Sequence, residues 1–379
     1  MKIVFLKSSI LKRGGLEKYT LRLANGFANQ GHDVTVLTTD YEKGTLANVG
    51  CNIVSVGENT SFSLLQLIRF DNQCKRYVTQ TMPDVVFGME RNFCPQTHYR
   101  AGNGCHAAYL DRRRKTDSWL KAASFAINPL HRLILDMEKT TFESPMLRRL
   151  FVNSHMVQRE ICSYYPAVDP AKVSVVHNGV EWKELQKSFD EGLSMRAKII
   201  KTLGLHPGVH QFLFVGNEYG RKGLKLLLEA LSMLPKNTFQ LSVIGKERNP
   251  EPFILHCKNL GLEEQVKFLG QVTEMKPYYS AADTLVIPSM YDPFANVTVE
   301  ALAMGLQVIS SSSNGGSEVL TGPELGSVFS DLTDPLELAT SLKVALNYPK
   351  TVNSAQAIRQ AVSHLDFSNQ IAQIIDATF

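Results

Sequence analysis

The chain has 379 residues, of which 44% are hydrophobic, and a formal net charge of +4 at pH 7. This length allows two domains with separate cores, and no apolar run approaches the ~20 residues that span a bilayer, so we expect a soluble protein. The small net charge, without a zinc-finger, homeodomain or aromatic–basic RNA motif, argues against a nucleic-acid partner. Six cysteines without a Cys-x-x-Cys pair argue against a zinc site and a disulfide framework, and favour a reducing cytoplasm.

The first 40 residues predict a strand, a helix and a second strand. Residues 2–6 are apolar, and lysines soon follow them, which indicates a buried strand rather than a signal peptide. A helical pattern and a strand at residues 33–37 complete a βαβ unit of a doubly wound sheet, whose ligands bind at the carboxyl ends of the strands. Gly14 and Gly15 lie before the helix. Their spacing alone is compatible with a plain tight turn or with a loop that approaches a ligand.

The next candidates follow strands predicted at residues 52–56 and 84–87. Asn103 lies between two glycines and His106 is close behind, so both are predicted on a flexible loop at a strand end. A lone histidine in such a place is more often structural or exposed to solvent than functional.

The most basic part of the chain is residues 100–150, which includes a long helical stretch predicted from about residue 118 to 144. Its cations alternate with aromatic and aliphatic residues and suit an anionic membrane surface; the alternative is an ordinary solvated helix face. The cations are Arg112, Arg113, Arg114, Lys115, Lys121, Arg132, Arg148 and Arg149.

A second βαβ series is predicted after a charged segment at residues 181–207. A strand ends at Gly216, and Arg221 and Lys222 lie where the next helix begins. Cations at a helix start oppose the helix dipole, which favours a role in anion binding over a purely structural one. A further strand ends near Gly245.

The most informative segment is residues 291–305, which lies between two short apolar strands. We expect Asn296 to accept a hydrogen bond from the first turn of its helix, whose start suits a phosphate. Asp292 precedes the helix and Glu300 lies within it, with seven residues between them. Both acids could be ordinary solvated positions; alternatively, one faces a sugar hydroxyl and the other a ribose diol.

This segment resembles the Glu-x7-Glu motif of the retaining nucleotide-sugar glycosyltransferases of family four, which have the GT-B fold. The resemblance implies that Asp292 contacts the transferred sugar and that Glu300 holds the nucleotide ribose. The first acid is Asp here, where the family more often has Glu. Asn103 and His106 are the two candidates for the polar group that such enzymes present to the sugar from the first domain.

Residues 215–224 resemble the diphosphate loop of the same family, especially that of lipopolysaccharide-core glucosyltransferases. The resemblance implies catalytic roles for Arg221 and Lys222 beside the candidates above. The implied donor-binding residues are Gly14, Gly15, Gly216, Arg221, Lys222, Gly245, Asn296 and Glu300.

The implied architecture is α/β, with two Rossmann-like doubly wound domains facing a cleft. The expected acceptor-binding domain is residues 1–180, and the expected nucleotide-sugar-binding domain is residues 181–365. A C-terminal helix at about 366–379 is expected to pack back on the first domain.

The implied activity is transfer of a hexose from a nucleotide-diphosphate sugar, such as UDP-glucose, to a glycolipid or oligosaccharide like the lipopolysaccharide core. The expected location is the cytoplasm, with peripheral contact on the inner face of the membrane. One alternative is a nucleotide-sugar-binding protein without turnover. Another is a GT-B sugar epimerase, which would need a pair of carboxylates that act as bases in both domains; we do not find such a pair.

Metal independence is expected because the chain has no Asp-x-Asp sequence to hold a divalent cation against a diphosphate. Arg221, Lys222 and helix N-termini would supply the positive charge instead. Retention of configuration follows from the resemblance alone, with attack on the same face and the leaving diphosphate accepting the proton.

Overall fold

The structure is a computed structural model that describes residues 1–10, 15–40, 50–57, 63–116 and 119–379. The chain divides into two compact units. One comprises Met1–His177 together with Gln370–Phe379, and the other comprises Asn178–Asn369, whereas the sequence predicted the boundary at residue 180. Each unit is built on one parallel sheet, as the fold class predicted.

The first unit contains a seven-stranded sheet in the order β3-β2-β1-β4-β5-β6-β7. Because a parallel sheet is covered on both faces, its strands are largely buried, and β1 and β4 are nearly continuous apolar runs. The strands are β1 Lys2–Leu6, β2 Asp33–Thr38, β3 Asn52–Ser55, β4 Val85–Gly88, β5 His98–Arg100, β6 Arg149–Val152 and β7 Val173–Val175. The helices are α1 Gly15–Asn29, α2 Ser63–Thr81, α3 His106–Thr116, α4 Trp119–Ile127, α5 Pro129–Phe142 and α6 His155–Tyr164.

The helical stretch predicted at 118–144 is two helices, α4 and α5. The break falls at Asn128, whose side chain accepts a hydrogen bond from the backbone N–H of Leu130 at 2.9 Å. Pro129 follows as the first residue of α5. A proline has no N–H for the preceding turn and suits the first position of a helix, so the chain starts a new helix here.

The second unit contains a six-stranded parallel sheet in the order β10-β9-β8-β11-β12-β13. Its strands are β8 His210–Val215, β9 Phe239–Ile244, β10 Val266–Gly270, β11 Thr284–Ile287, β12 Gln307–Ser311 and β13 Gly326–Phe329. Its helices are α7 Trp182–Thr202, α8 Leu224–Leu231, α9 Glu251–Asn259, α10 Lys276–Ala281, α11 Asn296–Ala303, α12 Pro335–Ala345 and α13 Val352–Ala361.

The last helix, α14 (Phe367–Thr378), carries the chain from the second unit back to the first. Gly26 of α1 gives it room, since a Cβ there would lie 2.7 Å from Cγ2 of Ile371. The ring of Phe379 packs edge-on against Phe27 at 6.0 Å, and Arg149 donates to the carbonyl of Ala377 at 3.1 Å. The C-terminal segment thus packs on the first unit.

The strand order of the second sheet reverses between β8 and β11, because β9 and β10 extend to one side and β12 and β13 to the other. Loops that leave the carboxyl ends of two such strands diverge and leave a crevice for a ligand. The loop after β8 and the loop after β11 both start at this point. Among the described residues, no helix combines the length and apolarity needed to cross a membrane.

Candidate active site

The loops after β8 and β11 are joined to each other by direct contacts. The backbone N–H of Met290 donates to the carbonyl of Arg221 at 3.0 Å, and the Arg221 guanidinium donates to the carbonyl of Tyr291 at 3.3 Å. Lys222 Nζ forms an ion pair with Asp292 Oδ2. The two sequence motifs, 70 residues apart, therefore meet at one place.

The Lys222–Asp292 pair is nearly buried, with 12% of the lysine side chain and 11% of the aspartate side chain exposed. Asp292 Oδ1 also accepts a hydrogen bond from the backbone N–H of Phe294 at 3.2 Å. Gly216 makes room for the lysine stem, since a Cβ there would lie 2.7 Å from Lys222 Cγ. The position of the lysine is therefore fixed from both sides.

Two further glycines hold these loops close together. Gly223 has φ +77°, and a Cβ there would lie 1.9 Å from the carbonyl oxygen of Pro288, at the end of β11. Gly245 has φ +140°, and its Cβ would lie 2.1 Å from the carbonyl oxygen of Gly216. Only glycine accommodates both the backbone conformation and the contact. Gly216, Gly223 and Gly245 thus shape the loops around Arg221 and Lys222.

Arg221 is anchored within its own loop as well as to the neighbouring one. Its Nε donates to Glu218 Oε2 at 2.8 Å, and Glu218 is 72% exposed. About one third of the Arg221 side chain is exposed. Arg221 is thus the more accessible of the two cations that the sequence singled out.

The loop after β12 supports Asp292 through the backbone. The N–H of Asp292 donates to the carbonyl of Ser313 at 2.9 Å, and its carbonyl accepts from the N–H of Gly315 at 2.9 Å. Between them, the fully buried Asn314 accepts from the N–H groups of Ala295 at 2.9 Å and Gly316 at 3.0 Å. Sequence reasoning missed Asn314. The signal was the run of serines, asparagine and glycines at residues 311–317.

The predicted capping role of Asn296 is wrong. Ala295 is the N-cap of α11 and makes no side-chain capping bond. Asn296 is already the first residue of the helix, and its Oδ1 accepts a hydrogen bond from Asn178 Nδ2 at 2.7 Å. Asn314, from another loop, satisfies the N–H of Ala295.

Glu300 lies on α11, where it is partly buried, and its Oε2 accepts a hydrogen bond from the hydroxyl of Tyr279 at 2.7 Å. Burial and then the neighbouring Glu300 carboxylate raise the pKa of Tyr279 well above its usual value of 10. The phenol therefore stays protonated and remains a donor. Tyr279 is another residue that sequence reasoning did not find.

In the first unit, the predicted placement of His106 on a flexible loop is wrong. His106 is the first residue of α3 and is buried. Its backbone N–H donates to the buried carboxylate of Glu138 at 2.9 and 3.0 Å, which fixes the helix start. Its Nε2 shares a hydrogen bond with Nδ1 of His131 at 3.1 Å. Burial, the charge of Arg91 and His131 lower the pKa of His106 to about 4.

Asn103 lies in the exposed turn between β5 and α3. The Asn153 side chain donates to the carbonyl of Gly102 at 3.1 Å and so supports this turn. Gly15 begins α1, whereas Gly14 lies outside the described residues.

A charged cluster that sequence reasoning missed lies where the first sheet reverses its order, between β1 and β4. Lys7 follows β1 and is buried, and its Nζ lies 2.9 Å from Glu90 Oε2 and 3.8 Å from Glu17 Oε1. Glu90 also accepts a hydrogen bond from the backbone N–H of Ser8. No local pattern marks this cluster, because its members come from separate elements.

Most of the basic stretch lies on α3 to α5, whereas Arg149 begins β6 and Arg148 lies just before it. Arg112 pairs with Glu160 at 3.0 Å, and Arg113 donates to the hydroxyl of Tyr109 at 2.8 Å. Trp119 and Ile127, at the two ends of α4, are 77% and 76% exposed. The side chains of Lys115 and Lys121 lie outside the described part of the structure.

A cavity of about 740 Å³ lies at the amino-terminal edge of the second sheet, the edge opposite to the loops described above. Gln307, Ser341 and Lys350 are among its lining residues, and none of the described site residues predicted above lines it. Lys350 is buried, and burial followed by the charge of Arg196 lowers its pKa to about 7. This cavity is separate from the Lys222–Asp292 site.

Comparison with known proteins decides the family. Residues 13–183 match the family described as Glycosyltransferase Family 4, and residues 195–362 match Glycosyl transferases group 1. The chain is a GT-B glycosyltransferase. The Lys222–Asp292 and Tyr279–Glu300 contacts both lie within its group 1 region.

The glycosyltransferase is similar to other proteins over most of its sequence. A glycosyltransferase of Methanocaldococcus jannaschii is 26% identical over 321 residues, which cover 81% of this chain and 79% of that protein. Lipopolysaccharide glucosyltransferase WaaG of Escherichia coli is 23% identical over 352 residues, which cover 91% of this chain and 90% of that protein.

Solved structures support the fold of the glycosyltransferase. The crystal structure of WaaG matches with a TM-score of 0.77 at 20% identity, covering 99% of this chain and 98% of that one. Anabaena HepE in complex with UDP matches with a TM-score of 0.72 at 17% identity, covering 99% of each chain. At these identities the likeness concerns the fold alone.

Proposed function

We propose that this glycosyltransferase transfers a hexose from a UDP-sugar to a glycolipid or oligosaccharide acceptor, with retention of the anomeric configuration. The observation that carries the proposal is the Lys222–Asp292 pair in front of α11, with Glu300 on the same helix. This places a cation and two carboxylates around one helix, at the point where the second sheet reverses its order. The names of WaaG and of the HepE complex support a hexose and UDP.

In this proposal Glu300 accepts hydrogen bonds from the ribose hydroxyls, and Arg221 and Lys222 bind the diphosphate. A bound diphosphate competes with Asp292 for Lys222, so the aspartate becomes able to accept from a sugar hydroxyl. The C–O bond to the diphosphate breaks as the acceptor oxygen attacks the same face of the sugar. The leaving diphosphate takes the acceptor's proton, and its growing charge is stabilised by the two cations. The parts of Asn103 and His106 in sugar recognition stay predictions from the family resemblance.

The test is a screen of UDP- and GDP-sugars, with binding followed by calorimetry and products by proton NMR. Glu300→Gln should weaken UDP binding by about tenfold, because it loses charge-assisted bonds. Lys222→Ala should lower kcat by roughly 100-fold, since its contribution grows in the transition state. The matched control is Glu264→Gln, which changes an exposed carboxylate of the same unit just before β10 and should leave both values unchanged.

The products discriminate between the remaining possibilities. An α-linked donor should give an α-linked product, with full activity in EDTA. A β-linked product, or activity lost in EDTA and restored by magnesium or manganese, would refute the mechanism. UDP binding without any product would indicate a nucleotide-sugar-binding protein, and interconversion of free UDP-sugars would indicate an epimerase.

We also propose that α3 to α5 hold the enzyme on the cytoplasmic face of an anionic membrane. The exposed Trp119 and Ile127 would enter the interface, and nearby cations such as Arg114 would contribute about 1 kcal/mol each. A Trp119→Ser, Arg114→Gln variant should co-sediment less with phosphatidylglycerol vesicles, whereas Lys187→Gln, which alters a lysine 84% exposed in the second unit, should not. Equal sedimentation of all three proteins would contradict the proposal.

A further inference from the structure

A hydrogen bond from the buried Tyr279 constrains the carboxylate of Glu300. Tyr279 belongs to α10 and is 2% exposed. Its hydroxyl donates to Glu300 Oε2 over 2.7 Å, a normal length for a charge-assisted bond between oxygens. The ring itself packs in the core that also contains Val299 and Leu302 of α11.

Tyr279 is held at its other end as well. Its backbone carbonyl accepts a hydrogen bond from Lys350 Nζ at 3.1 Å. The backbone N–H of Lys350 donates to Asp283 Oδ1 at 2.7 Å, and the same carboxylate pairs with Arg196 at 2.7 Å. The phenol is therefore a donor at a fixed place, whereas a glutamate on a helix surface has three side-chain torsions to order.

We propose that Tyr279 is a positioning residue that holds the Glu300 carboxylate in the orientation that accepts the hydroxyl groups of the donor's ribose. The inference rests on the proposed function, because it concerns the nucleotide of that same site. A carboxylate that is already oriented binds its ligand with a smaller loss of side-chain freedom. The effect of Tyr279 should therefore appear in nucleotide affinity and in the KM for the donor, and leave kcat nearly unchanged.

The test is isothermal titration with two probes, UDP and 2′,3′-dideoxy-UDP, which lacks the ribose hydroxyls. Tyr279→Phe keeps the ring and removes the donor. We expect it to weaken UDP binding about three- to tenfold, the size of one hydrogen bond to a charged group that only orients its partner, and to leave dideoxy-UDP binding unchanged. The Tyr279→Phe, Glu300→Gln double variant should bind UDP no more weakly than Glu300→Gln alone.

The matched control is Tyr165→Phe, which removes the same kind of bond in the first unit, where the Tyr165 hydroxyl donates to Glu138 at 2.8 Å. It should lower thermal stability and leave UDP affinity unchanged. Unfolded protein binds neither UDP nor dideoxy-UDP, so partial unfolding of a variant lowers both apparent affinities by the same factor. The ratio of the UDP affinity to the dideoxy-UDP affinity is therefore unaffected by partial unfolding.

Three results would have distinct meanings. If Tyr279→Phe binds UDP as tightly as the parent, or loses affinity for UDP and dideoxy-UDP equally, Tyr279 does not act through Glu300 and the inference is refuted. If the effects of Tyr279→Phe and Glu300→Gln add fully, it is refuted as well. If the parent binds neither nucleotide, the proposed function fails first.

Discussion

The Lys222–Asp292 pair gives the most direct test of the site's construction, because removing either partner leaves a nearly buried charge alone. Breaking a buried ion pair from one side costs about 3–5 kcal/mol. The hydrogen bond from Phe294 to Asp292 survives, so we expect Lys222→Met to cost about 3 kcal/mol of unfolding free energy. Lys222→Met combined with Asp292→Asn should cost only about 1 kcal/mol, because no uncompensated charge remains.

The measurement is urea unfolding of the whole chain, with a fluorescence signal that comes from the second unit only. The chain has two tryptophans, Trp119 in the first unit and Trp182 in the second. In a Trp119→Phe background, fluorescence reports Trp182, which packs against the core of the second unit with the Arg359 guanidinium 4.1 Å from its ring centre. The signal therefore follows the unit that contains the ion pair.

The neighbouring Arg221–Glu218 pair is the matched control, since Glu218 is 72% exposed. An exposed pair contributes about 1 kcal/mol or less, so the corresponding double-mutant cycle should give a coupling energy that is small. The reasoning would be refuted if the Lys222–Asp292 coupling were no larger than this control, or if the double variant were less stable than Lys222→Met.

Two further predictions concern the stability of the fold. Gly223→Ala should destabilise the second unit by about 3 kcal/mol or more, because the new Cβ would lie 1.9 Å from the Pro288 carbonyl oxygen and the positive φ adds backbone strain. The control Gly208→Ala, with φ +83° and open space around the new Cβ, should cost only about 1–2 kcal/mol. Equal losses of unfolding free energy for the two variants in urea would contradict the argument. Burial lowers the pKa of His98 to about 4, so the folded state binds fewer protons than the unfolded state, and the unfolding free energy should fall as the pH drops from 6.5 towards 4. His98→Gln should reduce the slope of unfolding free energy against pH by up to about 1.4 kcal/mol per pH unit. An unchanged slope in urea unfolding would contradict this.

Local sequence patterns determined the fold class and the position of the strands that carry the site. Apolar runs of four to six residues, separated by segments with helical spacing, are short-range signals of buried parallel strands. They predicted the strand at residues 2–6, and they placed the end of β8 at Gly216, one residue beyond its observed end. The segment with Asp292 and Glu300 was found because seven residues separate its two acids, which lie on either side of a predicted helix start.

Only the tertiary structure decided which side chains meet. Lys222 and Asp292 are joined because β8 and β11 are neighbours in the sheet, and strand order is not written in either segment. Asn314, rather than the predicted Asn296, accepts a hydrogen bond at the start of α11, and Tyr279 donates to Glu300. These contacts also join residues from separate elements, so neither segment alone predicts them. His106 was misplaced because the buried Glu138, 32 residues away, turns the predicted loop into a helix start. Backbone patterns are local, whereas hydrogen bonds and ion pairs between loops depend on how the sheet brings distant residues together.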